Sequence, residues 1–144
     1  MIETARGEIG YHEIAKILAS KGYATNKPEL DKGVDMIALD DDKVALIQIK
    51  TVIYDHKQMA DPDRDKRITG SGIKNGSLKE RYSGSNLIIV CLNSDLKRLY
   101  TITIPKDKLP DVQSIRVPKN PKKLGKYSKY LDNIENLSFS NMKS

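Results

Sequence analysis

The sequence predicts a mixed α/β fold in which a mixed central β-sheet is flanked by helices, in the order αβββαβ. Three observations predict it. An amphipathic stretch of helical period opens the chain, short segments rich in β-branched residues follow, and one of them, Asn86 to Leu92, is apolar throughout after its first residue. A strand buried on both faces reads like that last segment. The 144 residues, 38% hydrophobic and 31% charged, suit one domain over 1–144 with a modest core.

The first helix is expected over Glu3 to Lys21, stopped by Gly22. Projected at about 100° per residue, Tyr11, Ile14, Ala15 and Leu18 form one stripe. Glu8 lies at its edge and is expected to look toward whatever the helix packs on, whereas Glu13 is expected to face water. Strands follow at Tyr23 to Asn26, Val34 to Leu39 and Val44 to Thr51, with Asp40-Asp41-Asp42 turning the chain between the last two. Glycine-containing Met59 to Gly76 reads as a flexible loop, and so does the tail after Glu135. Between them lie a short helix over Ser77 to Tyr82, the apolar strand Asn86 to Leu92, and an alternating strand Leu99 to Ile104 that Pro105 ends.

Several function classes fall away. No run approaches the roughly 18 consecutive apolar residues of a membrane helix, and the charged start Met1 to Arg6 has no apolar run behind it as a signal peptide would. A soluble, cytoplasmic protein that does not contact membranes is therefore expected. The single cysteine, Cys91, sits inside Leu87 to Leu92 and reads as a small buried hydrophobe, and no Cys/His set for zinc exists. His12 and His56 read as ordinary surface residues.

Charge points toward a polyanion. The net charge is +6 with a pI near 9.3. Between Lys106 and Tyr130 eight basic residues stand against two acidic ones, so this basic segment, about 105–130, carries an excess equal to that of the whole chain. Tyr127 and Tyr130 are interleaved with its lysines, a composition suited to a phosphate backbone.

The stretch with the most chemistry is Gly33-Val34-Asp35 followed by Gln48-Ile49-Lys50. Strand residues two apart share a face, so Gln48 and Lys50 point the same way about 6.6 Å apart. If Asp41-Asp42 make a two-residue turn, Asp40 pairs with Lys43 and Asp35 sits opposite Gln48, with Cβ atoms about 5 Å apart. A slip of one residue would move Asp35 to the other face. The Asp35 carboxylate, the Gln48 side-chain oxygen and the Ile49 carbonyl can ligate a hard divalent cation. Lys50 beside them would position the attacking water and face a scissile phosphate.

This pattern resembles the PD-(D/E)XK nuclease superfamily, most closely the branch whose motif ends in Gln-X-Lys. That branch includes intron-associated homing endonucleases, and archaeal Holliday junction resolvases are relatives of similar size. The resemblance implies a restriction-endonuclease-like core, magnesium-dependent hydrolysis of DNA (manganese substituting), and a further acidic residue on the first helix. Many relatives carry a Glu four residues after a glycine that opens the helix. Here that position is Tyr11, so Glu8, one turn earlier, is expected to act on the metal through water. The expected function is that of a site-specific or junction-resolving endonuclease, with Glu8, Asp35, Gln48 and Lys50 as its catalytic set; the alternative is a DNA-binding module that keeps the fold with weak or no turnover. Lys57 to Lys74 would form a mobile loop at the substrate entrance. Lys79, Arg81, Lys119, Lys122, Lys123 and Lys126 are the expected phosphate contacts. One site per small domain implies a homodimer or higher homo-oligomer for two-strand cutting, and a DNA enzyme would associate with the nucleoid.

Overall fold

Asp41 takes the left-handed φ of 55° that a tight turn requires, and Asp tolerates it. That turn joins β2 (Met36–Asp40) to β3 (Lys43–Ile53) with Asp40 opposite Lys43 and Met36 opposite Ile47, the register that the two-residue turn predicts. The computed structural model describes residues 3–29, 34–61, 63–69 and 76–142. Strand β1 (Ala24–Asn26) runs antiparallel to β2 on the outer side. On the other side of β3 lies β5 (Asn86–Leu92), parallel to it, and then β6 (Arg98–Ile104), antiparallel to β5. The sheet is therefore mixed, in the order β1-β2-β3-β5-β6.

Helix α1 (Glu3–Ser20) covers one face of this sheet, seating Ile14 and Leu18 against Met36, Ile47 and Ile88. Its end is as expected: Gly22 has φ +91°, and the Tyr23 N–H returns to the Leu18 carbonyl at 3.0 Å. On the opposite face Leu87, Ile89 and Cys91 of β5 pack under α3 (Leu78–Arg81) and under a second, two-stranded sheet. This small sheet pairs β4 (Asp65–Thr69) antiparallel with β7 (Ser114–Pro118), and it buries Ile68, Ile115 and Val117. Every residue of β5 is buried because layers cover both of its faces.

Two expectations need correction. The stretches read as loop, Met59 to Gly76 and Lys57 to Lys74, overlap α2 (His56–Met59), which Asp55 and Gln58 cap in a reciprocal box, and contain β4. The pairing partner of β4 is far along the chain, so no local pattern announces it; residues 62 and 70–75 of that stretch lie outside the described residues. The tail after Glu135 is also folded. Leu137 is buried, and β8 (Ser140–Asn141) pairs with Lys43 and Val44 of β3. Buried Asn86 holds it there: its amide nitrogen donates to the Leu46 and Ser138 carbonyls at 3.0 and 3.1 Å, and its oxygen accepts from the N–H groups of Ser138 and Lys106.

The second face also contains three buried weak acids. Burial pushes the Cys91 thiol up to about 12, and it raises the hydroxyls of Tyr54 and Tyr100 well above their ordinary value. Each group resists losing its proton more strongly in the folded chain than in the unfolded one. Their contribution is thus complete below the ordinary cysteine value of 9.0 and is lost as pH climbs from there toward about 12. The urea midpoint should be level between about pH 7 and 8 and fall steadily by about pH 11; a level midpoint across that range would contradict the burial of these groups.

Candidate active site

Asp35 lies just beyond β2 and one step off the ladder register: its N–H donates at 2.8 Å to the carbonyl of Ile47, the residue opposite Met36, and its Oδ2 accepts from the Ile49 N–H at 2.8 Å. The carboxylate bond to Ile49 brings Asp35 beside the Gln48-Ile49 stretch, whereas the direct pairing of Asp35 with Gln48 expected from the turn is not part of the ladder, which ends at Met36 and Ile47. Gln48 is only 8% exposed, and among the described residues its Oε1 has no hydrogen-bond partner. A buried amide oxygen without a donor costs about 1–3 kcal/mol. Beside Ile47 and Ile49 in the strand, that oxygen is an acceptor open to a water or a ligand.

Lys50 is half-buried, two residues along the same face, with Nζ 5.5 Å from the centre of the Tyr82 ring at the end of α3. It lines a cavity of about 310 Å³ together with Arg6 and Gly7 of α1 and Lys66 and Arg67 of β4. Lys66 donates to the Ile53 carbonyl at 2.6 Å and lies over the Tyr54 ring. Burial, and next the charge of Arg6, hold its ammonium below the usual lysine range. Four cationic side chains around one cavity make a site that an anion would relieve.

Glu8 departs from expectation. Its side chain is 50% exposed, whereas that of Glu13 is 17% exposed and is bound by Arg98 at 3.3 Å and Lys16 at 3.1 Å. The helix phase is the reason: α1 comes closest to the sheet at Gly10, which contributes nothing to a hydrophobic pattern, and Arg98 from β6 supplies the counter-charge that lets Glu13 turn inward. Glu8 instead accepts from Lys27 Nζ at 2.6 Å, with His12 Nε2 at 3.6 Å. The Lys27 hydrogen bond, followed by its charge, holds the Glu8 carboxyl below the usual range. Lys27 also stands 5.2 Å from the Tyr11 ring centre and feels the Asp35 charge, so it links the helix to the Asp35 side of the site. Nothing in the residues around Lys27 or Arg6 marks them in the sequence.

Of the expected phosphate contacts, Lys79, Arg81, Lys122 and Lys126 are exposed. Lys119 and Lys123 are engaged within the protein: Lys119 Nζ donates to the Met59 carbonyl at 2.7 Å and to that of Asp61, and Lys123 pairs with Asp63 at 3.0 Å. Tyr127 and Tyr130 pack partly against the core, with Lys126 5.4 Å from the first ring. Glu29 is exposed, and Asp31 and Gly33 lie outside the described residues. Cys91 is fully buried. Among the described residues no three His, Cys, Asp or Glu side chains gather as a metal-ligand cluster. Asp35, Gln48 and Ile49 carry a carboxylate, an amide oxygen and a backbone carbonyl, the oxygen types that a hard cation takes as ligands.

No family model matches the sequence, and no curated protein is significantly similar to it. Among solved structures, that of the bacterial homing endonuclease I-Ssp6803I is similar, with a TM-score of 0.64 over 93% of this chain and 89% of that chain, at 13% identity. The likeness is one of fold. A mixed α/β architecture with a central mixed sheet flanked by helices is common to both. Among the described residues no helix is long and apolar enough to cross a membrane.

Proposed function

We propose that this protein is a magnesium-dependent DNA endonuclease of the PD-(D/E)XK superfamily, Gln-X-Lys branch, which hydrolyses phosphodiester bonds at a specific duplex site or a branched junction. The observation that carries this reading is the buried, unpartnered Gln48 oxygen beside Asp35, two residues before a lysine. The fold shared with a homing endonuclease supports it. Asp35, Gln48 and the Ile49 carbonyl would hold Mg2+, with Mn2+ able to substitute. Bound there, the ion supplies Lewis-acid activation and a more acidic water. Lys50 contributes a cation against the scissile phosphate, and the Tyr82 ring holds its ammonium on that side. Glu8 acts at one remove, through water. Arg6 and Lys66 draw the neighbouring phosphates into the cavity. One such site per chain requires a homodimer or larger assembly for cutting both strands.

The test is nicking of supercoiled plasmid with magnesium, with and without EDTA, beside linear duplex, single strand and four-way junction. Metal-dependent nicking is expected. A DNA-binding module without turnover is the second reading, favoured by the neutral Gln48 and by the Lys27 ammonium already on Glu8; it predicts duplex binding but no nicking in magnesium or manganese.

Two variants probe the helix. Glu8→Gln should raise the magnesium requirement several-fold at unchanged stability, whereas Glu13→Gln should lower stability by about 1 kcal/mol through its Arg98 and Lys16 contacts and leave the metal requirement alone. The opposite ranking in metal titrations would remove Glu8 from the site. For the basic segment, replacing Lys122, Lys123 and Lys126 together by Ala should flatten the slope of log affinity against log salt by about two to three units. An unchanged slope would assign the DNA grip to the Lys66 to Arg81 side.

A further inference from the structure

The outer face of the β4/β7 ribbon has no role in the chemistry above. Its inner face is fixed: Ile68, Ile115 and Val117 are buried, and the hydroxyls of Tyr54 and Tyr100 donate to the carbonyls of Val117 and Pro118. By alternation the outer face presents Arg67 and Arg116, both exposed and directly opposite each other across the two strands. Like charges in direct cross-strand register are destabilising. Arg116 is paired with Asp65 at 3.0 Å and donates to the Lys123 carbonyl at 3.4 Å, whereas Arg67 donates to the neutral Ser114 hydroxyl at 3.1 Å, and among the described residues no carboxylate pairs with it. Arg67 thus keeps donors for an external acceptor on an outward face, with the exposed Arg116 beside it, and it also lines the cavity that holds Lys50.

We propose that this ribbon enters the DNA major groove and that Arg67 and Arg116 read guanine edges next to the cut, which makes them the specificity-determining residues. The inference rests on the endonuclease reading. A major groove about 12 Å wide admits a two-stranded ribbon, and arginine reaches guanine O6 and N7 together, in the commonest specific contact to a base. The shared position of Arg67 on ribbon and cavity places the base read by it close to the phosphate that faces Lys50. Lysine cannot reproduce the two-pronged contact.

The experiment is magnesium-dependent cleavage of a randomised duplex library by the full chain, with the base composition around the cut read from the products. Wild type should show guanine preferences near the cut. Arg67→Ala and Arg116→Ala should each relax a different position by about tenfold, and Arg67→Lys should relax the same position as Arg67→Ala. Because composition is read among the molecules that are cut, a slower variant still reports. A cleaving wild type with no base preference, or variants that keep the wild-type profile and lose only rate, would overturn the reading role while leaving the endonuclease intact. A wild type that cuts only a four-way junction would overturn the reading role alone, and one that cuts neither duplex nor junction would overturn both.

Discussion

Lys50→Ala is expected to lower the rate of DNA cleavage by about a hundredfold to a thousandfold, the scale seen when a preorganised group that stabilises transition-state charge is removed. The same substitution should barely affect folding. Lys50 is half-buried and its contact to the Tyr82 ring is worth about 0.5–1 kcal/mol. Asp35 needs a more careful substitution, because its Oδ2 also satisfies the N–H of Ile49, which is 8% exposed. Asp35→Ala would leave that donor without its acceptor, at about 1–3 kcal/mol, and so mix a folding defect with a catalytic one. Asp35→Asn keeps an oxygen for Ile49 and removes the charge that a cation needs. Asp35→Asn should therefore match Lys50→Ala in lost cleavage while keeping the wild-type urea midpoint within about 1 kcal/mol. Wild-type cleavage by either variant would dismantle the site.

The second large effect is on stability. A Cβ at Gly10 would stand 1.9 Å from Thr51 Oγ1, 3.1 Å from Thr51 Cβ and 3.2 Å from Val90 Cγ1, so α1 must retreat from the sheet to admit it. Overpacking of this kind costs about 1–3 kcal/mol, against a gain of up to about 1 kcal/mol for alanine over glycine in a helix. Gly10→Ala should be net destabilising. It should also slow cleavage, since Thr51 adjoins Lys50 on β3. Thr51→Ala removes a hydroxyl that is buried without a partner, so by itself it should be close to neutral. Combined with Gly10→Ala it removes the closest of the three contacts, and the pair should be more stable than Gly10→Ala alone by about 1 kcal/mol or more in urea unfolding. A neutral Gly10→Ala, or a pair no better than the single variant, would show that this approach is not what places the helix.

What was legible in the sequence was local. A two-residue turn of aspartates settles the β2–β3 register as far as Met36 opposite Ile47, because a hairpin is specified by residues adjacent in the chain; one residue on, Asp35 leaves that register and reaches Ile49 through its carboxylate. The apolar run of β5 announces a strand covered on both faces. The ribbon was not legible: Asp65-Lys66-Arg67 reads as polar loop, and it is a strand only because Ser114–Pro118 lies beside it. Glu8 and Glu13 exchange their expected exposures because the helix meets the sheet at Gly10, which adds nothing to a hydrophobic pattern. Lys27 and Arg6 acquire their places only when distant elements converge.

The parallel pairing of β3 with β5 has a consequence for how the chain becomes active. β2 with β3, and β5 with β6, are hairpins whose contacts lie close in sequence and need little loop closure. Joining β3 to β5 requires closing the whole segment between Ile53 and Asn86, which costs entropy before any contact repays it. Asp35 and Gln48 belong to the first hairpin, but the ring that steadies Lys50 arrives with α3, just ahead of β5. A chain caught before the two hairpins dock holds Asp35, Gln48 and Lys50 without the Tyr82 ring that faces the Lys50 ammonium. On the endonuclease reading, hydrolytic competence is thereby tied to a non-local step of assembly, and a chain halted before it would lack the finished site.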